Sequence, residues 1–324
     1  MGIIQKSTLA GALILGLSQP ALAVTWDMPT PYPDATFHTI NIKQFAEDVK
    51  AATNGDLIIN VHSAGSLFKH TEIKKAVRSG QVPIGEIYMG LMANEHPVFA
   101  MDTLPFLSTD YLSAVKLWKV TKPRIDQLLG KQNMAVLFSV PWPPQGLYAK
   151  QEINTISDMK GQKFRASNSS TSRLAELAGA VPTQIEVADL AQAFATGRID
   201  SMITSPSTGV SSKAWDFLSH FHHTQAWIPK NLVMVNKKAF AALSATTQRA
   251  VLQAAIKAEG RGWNMSKAET DAKIATLKQN GVKIITPSAE LMSSLKKIGK
   301  TMSDEWGKKA GAEGEALLKA YHAM

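Results

Sequence analysis

Two short proline-marked segments, Trp142-Pro143-Pro144 and Trp227-Ile228-Pro229, interrupt a chain that otherwise alternates strand and helix patterns. Proline fixes the backbone and removes a hydrogen-bond donor, so neither segment can continue a central strand or a helix. Each reads as a stiff connection between blocks of α/β structure, and two such crossings imply lobes assembled from discontinuous pieces. The expected division puts residues 24–146 and 231–270 in lobe I, and residues 147–230 and 271–324 in lobe II together with the C-terminal helices. The length agrees with this: 324 residues with 45% hydrophobic content exceed what one hydrophobic core usually holds.

Between the crossings the alternation is regular. Phe37, Ile40, Phe45 and Val49 recur at helical spacing before Gly55, and Leu57 to Val61 is a compact apolar strand. Thr71 to Ser79 predicts a helix closed by Gly80, Ile84 to Met89 a strand, Tyr111 to Leu129 a helix and Met134 to Val140 a buried strand. The second block repeats the pattern through Lys163–Arg165, Ser172–Leu177, Val187–Thr196 and Ser201–Thr204. After the strand Leu232–Asn236, a helical pattern runs from Ser244 to about Asn280, weakened at Gly260 and Gly262 by about 1 kcal/mol each relative to alanine. So long a helix is expected to pass between both lobes. A strand at Val282–Thr286 and helical segments at about Ser288–Lys309 and Ala312–Tyr321 finish the chain. The fold class is therefore α/β, in two hinged lobes with a cleft between them.

The first residues read as an export leader over residues 1–23. Lys6 precedes an apolar run from Leu9 to Leu17, and small residues close the segment at Ala21-Leu22-Ala23. The run is shorter than the roughly 20 apolar residues that span a bilayer, so a cleaved protein outside the cytoplasm, with no stable membrane insertion, is expected. The chain has no cysteine, so stability rests on the core rather than on disulfides. The formal charge of +9 includes Lys6, and the remaining excess favours small anionic ligands or an anionic surface by long-range steering. The basic residues are dispersed and form no dense or aromatic-interleaved stripe, which argues against nucleic acid.

Against that background one stretch stands out: Gly161-Gln162-Lys163-Phe164-Arg165-Ala166-Ser167-Asn168, answered downstream by Arg198-Ile199-Asp200-Ser201-Met202-Ile203-Thr204-Ser205. An arginine on a short strand, beside a second strand ending in hydroxyls, suits capture of a carboxylate, because the planar guanidinium fork matches both oxygens. The plain alternative is an ordinary surface ion pair, worth little. Thr204 and Ser205 have hydroxyls for a second oxygen, although Ser205, just before Pro206, equally suits turn chemistry. Asn168, with Ser169 and Ser170, stands at a helix start, where capping competes with ligand contact. Trp142 and Trp227 adjoin the crossings, placed either to stack on an apolar ligand body or to pack the hinge. Tyr88 and Phe68 are expected on the first-lobe wall. His220 and His222, with His223 beside them, have the alternate spacing of ligands sharing one face of a strand, but no acidic or cysteine partner has matching spacing, so neither a metal nor a cofactor is expected.

Over nearly its whole mature length the chain resembles the extracytoplasmic solute receptors of the tripartite ATP-independent periplasmic (TRAP) transporters, the DctP-like group. The resemblance rests on the order and spacing of the early helix before Gly55-Asp56, the Gly80 to Gly85 turn, Leu104-Pro105-Phe106-Leu107, Gly161 to Arg165, and Ala195-Thr196-Gly197-Arg198-Ile199-Asp200. It implies a two-lobe fold like that of periplasmic binding proteins, joined by hinge strands and a lobe-spanning helix, in a periplasmic, non-enzymatic receptor that closes on a small organic acid and delivers it to the membrane permease subunits. It also implies that Arg165 grips the carboxylate. A frequent family asparagine maps onto Thr204, or onto Ser205 if the alignment slips by one, so this chain departs from the pattern there. The indoles suggest an acid with an aromatic or apolar body. Two other roles compete. A sensor subunit of a signalling system would share the fold. A secreted hydrolase would need machinery for which no Gly-x-Ser-x-Gly, His-Glu-x-x-His, phosphate loop or cysteine nucleophile is present.

Overall fold

The computed structural model describes residues 23–324, so the leader expected over residues 1–23 lies, except for its last residue, outside the described residues. In chain order the strands and helices are β1 (Val24–Pro29), α1 (Phe37–Ala52), β2 (Leu57–His62), α2 (His70–Ser79), β3 (Ile84–Tyr88), α3 (Tyr111–Gly130), β4 (Met134–Pro141), β5 (Gly146–Ala149), β6 (Lys163–Ala166), α4 (Ser169–Leu177), β7 (Val181–Gln184), α5 (Leu190–Ala195), β8 (Ser201–Thr204), α6 (Pro206–Ser211), β9 (His220–His222), β10 (Lys230–Asn236), α7 (Lys237–Ala241), α8 (Ala245–Gln279), β11 (Lys283–Ile285) and α9 (Ala289–His322). Short 3-10 turns at Met89–Met92 and Pro97–Thr103 follow β3.

The strands separate into two groups. β10 lies antiparallel between β3 and β4, and β1 pairs in parallel with β2. The other six strands form one mixed sheet in the order β11-β9-β5-β8-β6-β7. Its β8, β6 and β7 run parallel, while β5 is antiparallel to both neighbours. Mixed α/β layers in two bodies are what the alternating pattern implies.

Apolar packing follows the same division. Phe45, Val49, Leu57, Phe138 and Val235 belong to one core cluster of the first body, and Ile73, Phe99, Leu117 and Met234 to another. In the second body Phe164, Leu174, Ile203 and Leu295 pack together, as do Tyr148, Ile199, Phe221 and Leu277.

The two crossings run side by side. Trp142 N–H donates to Pro229 O (2.8 Å), Gln145 N–H to Trp227 O (3.0 Å), and Ala226 N–H to Gln145 O (2.9 Å). The prolines are tolerated because these bonds are contributed by the residues around them. Where the first crossing enters β5, a Cβ on Gly146 would stand 2.2 Å from the Phe221 ring and 2.9 Å from His222 O. Gly146→Ala is therefore expected to cost about 1–3 kcal/mol through overpacking, read as a lowered midpoint in urea unfolding; an unchanged midpoint would mean that the hinge yields freely.

The 35 residues of α8 span about 50 Å at 1.5 Å per residue. The helix packs on α1 and β4 at one end and on α6 and β11 at the other. Gly262, a weak point in the helical pattern of the sequence, sits where α8 presses on β4: a Cβ there would lie 2.5 Å from a Val140 methyl. The C-terminal segment also crosses, whereas the sequence placed it with lobe II. α9 packs first on α4, then on the Pro97–Thr103 turn and α3, with a non-helical break at Gly311. Trp306 and Tyr321 accordingly join the first body's core.

Candidate ligand-binding cleft

Side chains alternate faces along a strand, so with Phe164 in the core, Arg165 on β6 emerges on the other face. That face opens between the two bodies onto a small cavity lined by residues of both. Arg165 is 3% exposed. Its Nε donates to Ile185 O at 3.0 Å, and no carboxylate among the described residues makes an ion pair with it. Burial pulls its pKa below the ordinary arginine value, opposed by Glu186 nearby, but a guanidinium remains charged at any ordinary pH. The terminal nitrogens thus face the cavity as a held, unneutralised fork. This is the opposite of a surface ion pair.

The other walls come from both bodies and from the crossings. Thr204, at the end of β8 and 4% exposed, lines the cavity, as do Ser167, Glu186, Val187 and Thr208. Tyr32, His70, Tyr88 and Trp142 close it from the first body, with Gln145 and Pro229 from the crossings. Trp142 is fixed as a wall: its Nε1 donates to Asn231 Oδ1 at 2.9 Å, and its ring meets Tyr32 edge-on at 5.0 Å. Asn231 in turn donates through Nδ2 to the buried Glu86 carboxylate at 2.8 Å, and Glu86 also accepts from Thr30 at 2.5 Å. A buried carboxylate with such partners is expected, and here it orients the aromatic wall through Asn231.

Two contacts tie the bodies together at the cleft. Asn168 Nδ2 donates to the Tyr88 hydroxyl at 3.2 Å. Burial pushes the Tyr88 phenol far above its usual value, so it keeps a proton to donate. His70 Nδ1 lies 3.4 Å from Glu186 Oε2, while its Nε2 accepts the Tyr88 backbone N–H at 3.0 Å. The hydrogen bond to His70, together with the field of Arg165, holds the Glu186 carboxyl below its usual range.

The candidates read from sequence thus divide. Arg165, Thr204, Trp142 and Tyr88 meet at the cavity. Ser205 does not line it: its hydroxyl accepts the Thr208 N–H at 3.0 Å and caps α6, the turn role its position before Pro206 allowed. Asn168 caps α4 by accepting the Thr171 N–H at 2.8 Å and reaches the cleft only through Tyr88. Trp227, 1% exposed, is packed in the second body's core with Leu291 and Leu295. Its Nε1 lies near Tyr88 without a well-formed hydrogen bond. Phe68 packs against the first body's core and lines no part of the cavity. His222 is occupied by the backbone, accepting the Ile153 N–H at 2.8 Å with Nδ1 3.3 Å from Leu147 O.

Sequence reasoning missed Tyr32, His70, Gln145, Ser167, Glu186, Val187, Thr208 and Pro229. Gln145 and Pro229 belong to the crossings and Ser167 follows Arg165 by two residues, so their positions were a usable signal. Tyr32, His70 and Glu186 stand in or next to loops without any local pattern.

Comparison with known proteins gives this arrangement its context. The family model described as bacterial extracellular solute-binding protein, family 7 (DctP), matches residues 30–309. The chain belongs to this family. It is thus a solute-binding receptor of the TRAP type, as the resemblance implied. Among solved structures, DctP6 of Bordetella pertussis, an extracytoplasmic solute receptor binding pyroglutamic acid, is 46% identical with a TM-score of 0.92, over 93% of this chain and 100% of that one. A marine metagenome TRAP solute-binding protein specific for pyroglutamate is 40% identical, with a TM-score of 0.91, over 93% and 99%. The C4-dicarboxylate-binding periplasmic protein DctP of Rhodobacter capsulatus is 25% identical over 96% of this chain and 95% of its own length. No helix among the described residues of this family-7 protein is long and apolar enough to cross a membrane.

Proposed function

We propose that this chain is a periplasmic receptor that captures pyroglutamate, or another small cyclic monocarboxylate of that size, and delivers it to the membrane permease of a TRAP transporter. The observation that carries the reading is the buried, unpaired Arg165 fork facing a cavity shared by both lobes. The enclosed space is small, which suits a compact acid. One apolar wall, Trp142, fits the face of a five-membered ring, and the relatives at 46% and 40% identity are receptors for pyroglutamate. A ligand held by Arg165 on one side and by Tyr88 and Trp142 on the other stabilises the lobes' approach through its differential affinity. Delivery rather than chemistry fits the cleft, because both nitrogens of its histidine, His70, are engaged by protein groups. Export by cleavage of the leader completes the reading.

A thermal-shift and calorimetric panel of pyroglutamate, succinate, glucuronate and pyruvate tests this. At a hundredfold excess over the dissociation constant, a ligand adds about 2.7 kcal/mol of stability, so pyroglutamate should raise the melting temperature by several degrees and be recovered unchanged. Stabilisation by succinate or glucuronate but not by pyroglutamate would replace the ligand class. Steady consumption of the acid would replace the receptor by an enzyme.

A further inference from the structure

The cleft holds a second charge that anchoring a carboxylate does not use. Glu186 lines the same cavity as Arg165, yet the two form no ion pair within 4 Å. Both are fixed by the same short loop: Arg165 Nε donates to Ile185 O, the carbonyl joined to Glu186 by a peptide bond. Glu186 therefore stays apart from the guanidinium while remaining beside the ligand space.

Its partner on the protein side is also fixed. His70 Nε2 accepts the Tyr88 backbone N–H, so in the neutral ring the proton resides on Nδ1, facing Glu186 Oε2 at 3.4 Å. The other oxygen, Oε1, accepts no hydrogen bond from the protein among the described residues, and the side chain is 32% exposed. Apart from Arg165, His70 and the Trp142 indole, the other polar side chains on the cavity wall are uncharged hydroxyls and one amide: Tyr32, Tyr88, Gln145, Ser167 and the two threonines. Glu186 is thus the anionic acceptor of the site, across from a cationic donor.

Building on the pyroglutamate-type reading above, we propose that Glu186 Oε1 accepts a hydrogen bond from an N–H of the bound acid while Arg165 holds its carboxylate, so that the site selects monocarboxylates bearing an N–H and rejects dicarboxylates. A second ligand carboxylate would be placed against the Glu186 carboxylate in a partly enclosed space, where like charges repel. A ring N–H there donates to an ionised acceptor, a stronger bond than one to a neutral group. The same residue supplies attraction to one class and repulsion to the other, as specificity often requires.

The test is calorimetry on the full-length mature protein and on Glu186→Gln, with three probes: pyroglutamate, its lactone analogue 5-oxotetrahydrofuran-2-carboxylate, and glutarate. The lactone replaces the N–H with an oxygen and changes little else. Wild type is expected to bind pyroglutamate at least about tenfold tighter than the lactone, with no measurable glutarate binding. In Glu186→Gln, pyroglutamate should weaken about tenfold, the order of difference between charged and neutral acceptors, while the lactone holds or improves and glutarate becomes detectable. Equal loss for pyroglutamate and lactone would reduce Glu186 to a structural support of the loop, and an unchanged preference would remove it from the site. Either result overturns the inference while leaving pyroglutamate as ligand. Failure of wild type to bind pyroglutamate at all would overturn the inference and the functional reading together.

Discussion

Arg165→Ala is expected to abolish measurable binding of the acid, with at least about a hundredfold loss of affinity. Truncating one partner of a buried, hydrogen-bonded charge pair costs about 2–5 kcal/mol or more, and here the partner left behind is the ligand's own carboxylate in a cleft with no other lysine or arginine on its wall among the described residues. Arg165→Lys is expected to recover only part of this. A lysine ammonium keeps the charge but not the planar fork, and it cannot repeat the bond from Nε to Ile185 O that sets the fork's direction. Titration calorimetry with pyroglutamate reads the effect, and far-ultraviolet circular dichroism checks that the fold is retained. Near-normal affinity in the alanine variant would place the carboxylate anchor elsewhere and remove the basis of the receptor geometry.

That this residue could be singled out from sequence at all has a physical cause. A strand with the pattern Phe164-Arg165-Ala166, flanked by other strands, buries one face and leaves the other for a polar group. An arginine is seldom placed so unless it has a specific partner. The crossings were legible for a similar reason: proline at Pro143, Pro144 and Pro229 excludes continuous strand or helix, whatever the tertiary context.

What stayed hidden depended on contacts between distant segments. Trp142 and Trp227 look alike in sequence, each two residues or fewer from a crossing proline. The hydrogen-bonded crossings nevertheless send Trp142 toward Tyr32 and Asn231, and Trp227 into the core beside Leu291. Ser205 and Thr204 are neighbours, yet one hydroxyl is taken by the free amide of α6 and the other is left facing the cleft. His70 and Glu186 come from opposite lobes, and nothing within either segment signals their meeting. The short edge strand β7, with Pro182 inside it, carries no alternation to betray it, although its pairing with β6 brings Glu186 to the cavity. Local patterns reveal elements and faces; the inventory of a cleft between lobes is set by long-range packing.

The largest expected effect on stability lies beside the site, at the start of β10. Asp102 and Lys230 are each 1% exposed, with Lys230 Nζ 3.8 Å from Asp102 Oδ2, and the same oxygen accepts the Lys230 backbone N–H at 2.8 Å. Burial pushes the Asp102 carboxyl up to about 7 against the pull of Lys230, and burial likewise lowers Lys230. Lys230→Met would leave the carboxylate without its cation, and breaking a buried pair in this way costs about 3–5 kcal/mol. The cost should depend on pH in a fixed direction. An aspartate whose folded pKa lies above its unfolded value of about 3.9 binds its proton more tightly when folded, so its contribution to stability is greatest in acid and declines as pH rises through the folded value. Without Lys230 that folded value rises further. The deficit of Lys230→Met should therefore be full at pH 8 and smaller at pH 5, where Asp102 takes up a proton and the charge disappears. In the double variant Asp102→Asn/Lys230→Met most of the loss should be recovered, because the amide oxygen still accepts the backbone N–H and no buried charge remains. Urea unfolding at the two pH values decides it: a deficit below about 1 kcal/mol, or one that does not shrink in acid, would mean that water or another group already compensates Asp102 and that the pair does not secure the junction between Pro229 and the cleft.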